Sequence, residues 1–243
     1  MRTLIIADVH ANLPAFRAVL DDAGHFDQVL FLGDLANFGP CPSECVDLLR
    51  ELDSINIMGN HDYFICCGWA KRNFFDAWSR AQLSDEQIGF LRSFEDEAVL
   101  GDILAIHGAW DVEYKILPGI PPEKVEEAFS RQLRPEIRHV YFGHYHYQID
   151  LEYQGVAYHS IRAVGHHRDK DVRAGYSILE DGHLTHHRVA YDIEETLHYA
   201  DRITCWKEPF KSQWFELLQN AYQEDILKGE TEAMQAYEAG KEI

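Results

Sequence analysis

The 243-residue chain has no apolar run approaching the roughly 20 residues that a membrane-spanning helix needs, so no membrane role is expected. Positive charge is scarce too: 22 Lys and Arg stand against 41 Asp and Glu, for a formal net charge of -19. No basic run or face is visible, and neither duplex nucleic acid nor an anionic lipid surface is an expected partner. Cysteine is sparse and unpatterned: Cys41, Cys45, Cys66, Cys67 and Cys205 form no CxxC pair and are odd in number. They read as reduced thiols filling core space rather than as disulfides or a zinc site. The N-terminal MRTLIIADVH lacks a signal-peptide pattern, so the expected location is the cytoplasm. Internal repeats and low-complexity segments are lacking as well.

What is present is a regular alternation. Residues 2–7 read as a strand and Leu13–Asp22 as a helix, capped by Asn12 with Pro14 in its first turn. A strand over 28–33, a helix over Ser43–Leu52 and a strand over 55–58 follow. This order predicts a parallel sheet with flanking helices. Residues 64–97 read as helical, with a capping box from Ser84 to Gln87. Strands over 98–106 and 138–142 bracket a loop and a short helix opened by Pro121 and Pro122. From 147 to 190, short alternating strands predict an antiparallel continuation that builds a second sheet.

The predicted fold class is therefore α/β: a two-sheet β-sandwich core flanked by helices, in four α/β/β/α layers. It spans residues 1–194, and 195–243 form a C-terminal helical extension. There Trp214, Leu217, Leu218, Ala221 and Tyr222 share one helical face. That face either docks back on its own domain or joins two copies into a homo-oligomer.

Five times an apolar strand-like run ends and a metal-ligand type follows at once. LIIA leads to Asp8 and His10, VLFLG to Asp34, and INIM to Gly59-Asn60-His61-Asp62; ILAI leads to His107, and HVYFG to His144 and His146. In α/β sheets, ligands bind beyond the carboxyl ends of the strands. One such residue carries little information; convergence of five separate segments predicts one polar site. Imidazole, carboxylate and amide oxygen without thiolate suit Mn, Fe, Zn, Co or Ni rather than Mg²⁺ or Ca²⁺ alone. The candidates outnumber the ligands of one tetrahedral zinc, so two divalent or transition-metal ions are expected.

These motifs, in this order, resemble the calcineurin-like metallophosphoesterase superfamily. The stretch from Asp8 to Ala15, the Gly-Pro-Cys-Pro after Asp34, and Gly165-x-x-Arg168-x-x-Asp171-x-Arg173-Ala174-x-Tyr176 resemble its small bacterial and archaeal phosphodiesterase branch. The resemblance implies that Asp8, His10 and His146 hold one metal, that Asn60, His107 and His144 hold the other, and that Asp34 bridges them. It implies hydrolysis of a small phosphoester, nucleotide-type on weaker grounds, by a bridging hydroxide. His61 would contact phosphate and protonate the leaving group, and Asp62 would support the site. Phosphodiesterase activity is the expectation; phosphomonoesterase, dinucleoside polyphosphate hydrolase and non-catalytic scaffold are the alternatives. Two departures stand out. Asn37 replaces the aspartate that many relatives carry, leaving His61 without a charged partner. Residues His159 to Gly165 replace the branch's Asn-Pro-Gly-Ser-Val-Gly.

Other residues admit a functional and a plain reading. Asn12 reaches phosphate or only caps its helix. Arg168 and Arg173 clamp phosphate or pair with Asp169 and Asp171. Trp69, Phe74, Phe75 and Trp78 stack on a base or fill the core. His166 and His167 read as exposed loop histidines, and His186 and His187 carry no site signal.

Overall fold

The computed structural model describes residues 1–67, 73–109, 112, 114–221 and 234–235. The chain opens with β1 (Arg2–Ile6), α1 (Leu13–Ala23), β2 (Gln28–Phe31), α2 (Pro42–Arg50) and β3 (Ser54–Asn56). Helices α3 (Asn60–Cys66), α4 (Phe74–Ala81) and α5 (Asp85–Arg92) come next. Then follow β4 (Glu97–Leu100), β5 (Ile103–Ile106), α6 (Pro122–Phe129) and β6 (His139–Phe142). Strands β7 (Ile149–Tyr153), β8 (Val156–Ser160), β9 (Ala174–Glu180) and β10 (His183–Val189) precede α7 (Ile193–Asp201) and α8 (Phe210–Asn220).

Two five-stranded mixed sheets result, ordered β10-β9-β1-β2-β3 and β4-β5-β6-β8-β7. They pack face to face with helices outside, as predicted. Alternation along buried strands explains the layering: Ile5, Leu30, Ala105 and Tyr141 fill the space between the sheets, while Leu4, Ile6 and Phe31 pack with Phe16, Val19 and Leu49 beneath the helices. The cap of α1 forms as read, Asn12 Oδ1 accepting from the Ala15 amide, and the capping box of α5 forms from Ser84 and Gln87.

Three expectations need correction. The strand over 98–106 is a hairpin, β4 against β5, turning at Gly101, whose φ of 67° suits glycine. Among the described residues the helical stretch forms three helices, and the first begins at Asn60, inside the third motif. The strands after 147 are divided between sheets. Strand β8 joins β6 in parallel with β7 on its outer edge, whereas β9 pairs with β1 antiparallel and carries β10. Burial explains the division: the first five residues of β9 are all buried, as a central strand requires, while β10 alternates as an edge.

The apolar face of α8 is covered by its own chain. Trp214, Leu217 and Leu218 pack with Phe74, Phe75, Trp78 and Trp206, and the Trp214 indole N–H donates to the Phe38 carbonyl at 2.8 Å. Of the two roles expected for this face, docking on its own domain is the one observed. Phe74, Phe75 and Trp78 are consequently core residues. Trp69 and Tyr222 lie outside the described residues.

Candidate metal centre

Strands β1, β2 and β3 of one sheet and β5 and β6 of the other end at the same edge, so their following loops meet there. Backbone bonds tie the loops together: Asp8 N–H donates to the Gly33 carbonyl (2.9 Å), His10 N–H to Asp34 (3.0 Å) and Gly143 N–H to His107 (2.8 Å). The backbone is strained at this place. Asp8, His10, Asp34, His144 and His146 all have positive φ, between 48° and 69°. Each such residue costs about 1–3 kcal/mol, a cost that persists where surrounding structure over-determines the conformation, as at functional sites. Close approach also demands glycine: a Cβ on Gly59 would sit 2.1 Å from Asp34 Oδ1.

All seven predicted ligands converge. Asp8, His10 and His146 form one cluster and Asp34, His107 and His144 another, with donor atoms in each within 4.8 Å of one another. The Asn60 amide oxygen lies 3.2 Å from His107 Nε2. Asp34 Oδ2 lies between the groups, 3.7 Å from His10 Nε2 and 3.3 Å from His107 Nε2. Asp8, His10, Asp34, His107 and His146 are buried.

Ring orientation shows what this donor set suits. A carbonyl only accepts, so His10 Nδ1–H donates to Asn37 O and His146 Nδ1–H to His166 O. Burial, joined by His146 beside His10 and by Arg168 beside His146, holds both imidazoles well below their usual pKa, hence neutral. Their Nε2 atoms therefore present lone pairs, and these face each other at 3.2 Å. Two lone pairs at that distance repel unless a cation lies against both. At the other end burial works against charge on His107, but the Asp34 carboxylate overrides it and lifts the pKa to about 9. The centre thus attracts positive charge. Nitrogen and oxygen donors with back-bonded imidazoles fit divalent transition metals.

The carboxylates divide in the same way. Burial raises the Asp8 carboxyl, with His107 partly offsetting it. Burial also opposes charge on Asp34, yet His107, through its charge and its hydrogen bond, leads the groups that hold that carboxyl well below the usual range. Asp62 accepts from the Asp34 amide (2.7 Å), the Leu35 amide (2.9 Å) and the Gly59 amide (3.2 Å). It pins the second motif to the third through backbone alone.

The family model of the calcineurin-like phosphoesterases matches residues 1–148. The chain belongs to this family. A solved metallophosphoesterase from Sphaerobacter thermophilus is 30% identical, with a TM-score of 0.76 over 91% of this chain and 100% of that one. A solved hypothetical protein from Pyrococcus horikoshii OT3, at 17% identity, has the same fold with a TM-score of 0.76 over 92% of this chain and 99% of that one. An uncharacterized protein from Methanocaldococcus jannaschii is 29% identical over 138 residues, which span 52% of this chain and 56% of that protein. The chain thus spans about half the length of this curated relative.

In this calcineurin-like phosphoesterase the Asn37 departure has a structural answer. Asn37 Oδ1 accepts from the Phe38 amide (2.8 Å) and the Ser79 hydroxyl (3.1 Å), which fixes the orientation of its amide. Its NH₂ then donates to Asp76 Oδ1 at 2.7 Å and to His61 Nδ1 at 3.0 Å. A carboxylate does support His61, one residue further out and from α4, where no motif pointed. With Nδ1 accepting, the neutral His61 ring carries its proton on Nε2.

Of the weaker candidates, Arg168 lines a cavity of about 190 Å³ together with Asp34, His61, Lys115, His144, Tyr145 and His146. Lys115 was missed because it lies in a loop without a motif. Arg173 is not among these lining residues; it is bound to Asp171 at 2.7 Å on the surface. Asn12 is buried and saturated: its NH₂ donates to Gly165 O and Tyr191 Oη, and its oxygen accepts from Ala15 N and Thr196 Oγ1. It has no capacity left for a phosphate. His166 and His167 are buried rather than exposed, because Val164 N–H and Gly165 N–H tie their loop to the Ala7 and Asp8 carbonyls. The His166 ring lies 5.6 Å from His10 and 5.2 Å from His146.

Proposed function

We propose that the chain is a cytoplasmic two-metal phosphoesterase acting on a small phosphodiester. The observation that carries this reading is the opposed pair of His10 and His146 lone pairs within the seven-residue donor set. In this reading Asp8, His10 and His146 hold one ion, Asn60, His107 and His144 the other, and Asp34 serves both. Mn²⁺ is the proposed occupant; Fe, Zn, Co and Ni suit the same donors. When bound, such ions acidify water and withdraw charge from phosphoryl oxygens.

The chain's own residues bind and orient the substrate. From the cavity wall His61 offers its Nε2–H as a hydrogen bond to a phosphoryl or leaving oxygen, where it stabilises developing negative charge. Asn37 and Asp76 hold that ring in its tautomer. Arg168 and Lys115 bring positive charge to the same cavity, and the guanidinium matches phosphate geometry. The extension from residue 195 buttresses this arrangement through Trp214 and Phe38.

Diester preference rests on family likeness. The two cations favour a second reading, a phosphomonoesterase or a dinucleoside polyphosphate hydrolase, whose substrates carry more charge. Parallel assays with Mn²⁺ on bis-p-nitrophenyl phosphate and on p-nitrophenyl phosphate separate them. The diester is expected to have the higher kcat/KM, and the reverse ranking transfers the assignment to the monoester.

A further inference from the structure

Away from the strand-end site, two cross-strand pairs from different sheets meet at the sandwich edge. Asp150 on β7 lies opposite His159 on β8, and Ser177 on β9 lies opposite His186 on β10. Strands β7 and β10 are each the edge of their own sheet. His159 Nδ1 lies 2.7 Å and His186 Nε2 3.0 Å from the same oxygen, Asp150 Oδ1. The three donor atoms fall within 4.8 Å of one another, and none belongs to the strand-end site.

Each side chain is held from behind. Ser177 Oγ is 2.8 Å from His186 Nδ1, so that the hydroxyl can accept a hydrogen bond from Nδ1–H and leave the Nε2 lone pair as the ligand. His159 is packed between two rings, His139 stacked at 5.8 Å and Tyr141 edge-on at 5.2 Å. Gln148 Nε2 donates to the other carboxylate oxygen at 3.1 Å, which turns Oδ1 towards the imidazoles. The histidine side chains are 17% and 19% exposed and the aspartate 39%, so water can reach a fourth position. Two imidazoles and one carboxylate with an open position form a zinc-type donor set.

We propose that Asp150, His159 and His186 bind a transition-metal ion of the zinc class, separate from the phosphoesterase centre, which clasps the edges of the two sheets. The ion replaces the shared protons of the hydrogen-bonded triad and links β7 and β8 to β10.

Zn²⁺ alone, added at a slight excess over all sites to the full-length protein, is the probe. Crystals grown from that protein, measured at the zinc absorption edge, are expected to show an anomalous peak bounded by Asp150, His159 and His186. Equilibrium dialysis of His186→Gln and Asp150→Asn is expected to retain about one Zn²⁺ fewer per chain than the unaltered protein, with hydrolysis of the model diester unchanged. No peak at the triad while the strand-end site is filled overturns the proposal, as does equal zinc content in folded variants. Because the peak is read in the unaltered protein, a variant that fails to fold leaves the result intact. Failure of the phosphoesterase reading would show separately, as loss of turnover and of zinc at the other site.

Discussion

His10 Nε2 and His146 Nε2 face each other at 3.2 Å, each ring having committed its other nitrogen to a backbone carbonyl. The rings come from loops 136 residues apart in sequence, one after β1 and one after β6, so the contact unites the two sheets at the site.

His61 and Asn37 act in series, and their replacement should separate metal binding from turnover. His61→Ala is expected to retain its ions and lose about 10²–10³ in kcat, the range for a removed hydrogen-bond donor to transition-state charge. Asn37→Leu, which keeps the ring but frees its orientation, should lose about 10–100-fold. Metal analysis beside steady-state kinetics checks both; full turnover in His61→Ala would remove it from the mechanism.

Asp62 satisfies three buried amides at once. Asp62→Ala should lower stability by about 3–5 kcal/mol and weaken metal retention, because the second and third motifs lose their common anchor. Denaturant titration reads the first effect and metal content the second.

His167 sets a pH dependence. It is buried, and burial, reinforced by Arg162, lowers its pKa from 6.5 to about 3. Above pH 6.5 the ring is neutral folded or unfolded and contributes no slope. As pH falls from 6.5 towards 3, only the unfolded chain takes the proton, and stability declines by up to about 1.4 kcal/mol per pH unit from this group. His167→Phe should flatten the acid side of a Tm-against-pH curve; an unchanged curve would show that the ring is protonated in the fold.

Trp214 joins α8 to Phe38, whose ring lies 6.5 Å from His61. Trp214→Ala should cost about 3–5 kcal/mol in stability by opening a cavity in the aromatic cluster. Turnover should fall as well through displacement of Phe38, while metal content holds.

The convergence of the strand-end candidates was legible because the signal is local: an apolar run followed at once by Asp, His or Asn. The layered fold was legible for a related reason, since strands buried on both faces, such as ILAI and HVYF, read as continuous apolar runs. Contacts that depend on how distant elements meet were hidden. Asp76 supports His61 only because α4 packs beside the Asn37 loop. His186 pairs with Asp150 only because two sheet edges adjoin, so an alternating strand gave no hint. The hairpin over 97–106 was missed because Gly101-Asp102 is too short an interruption to divide an otherwise continuous pattern. His166 and His167 looked exposed because polarity, not backbone tethering, was visible in their loop.

The most direct test of the two-metal account is the transition-metal content of freshly purified protein, measured together with Mn²⁺-dependent hydrolysis of bis-p-nitrophenyl phosphate. The account predicts about two ions at the strand-end site, turnover abolished by chelator, and loss of both metal and turnover in Asp34→Asn. Protein that binds no metal there and hydrolyses nothing after Mn²⁺ reconstitution would contradict it.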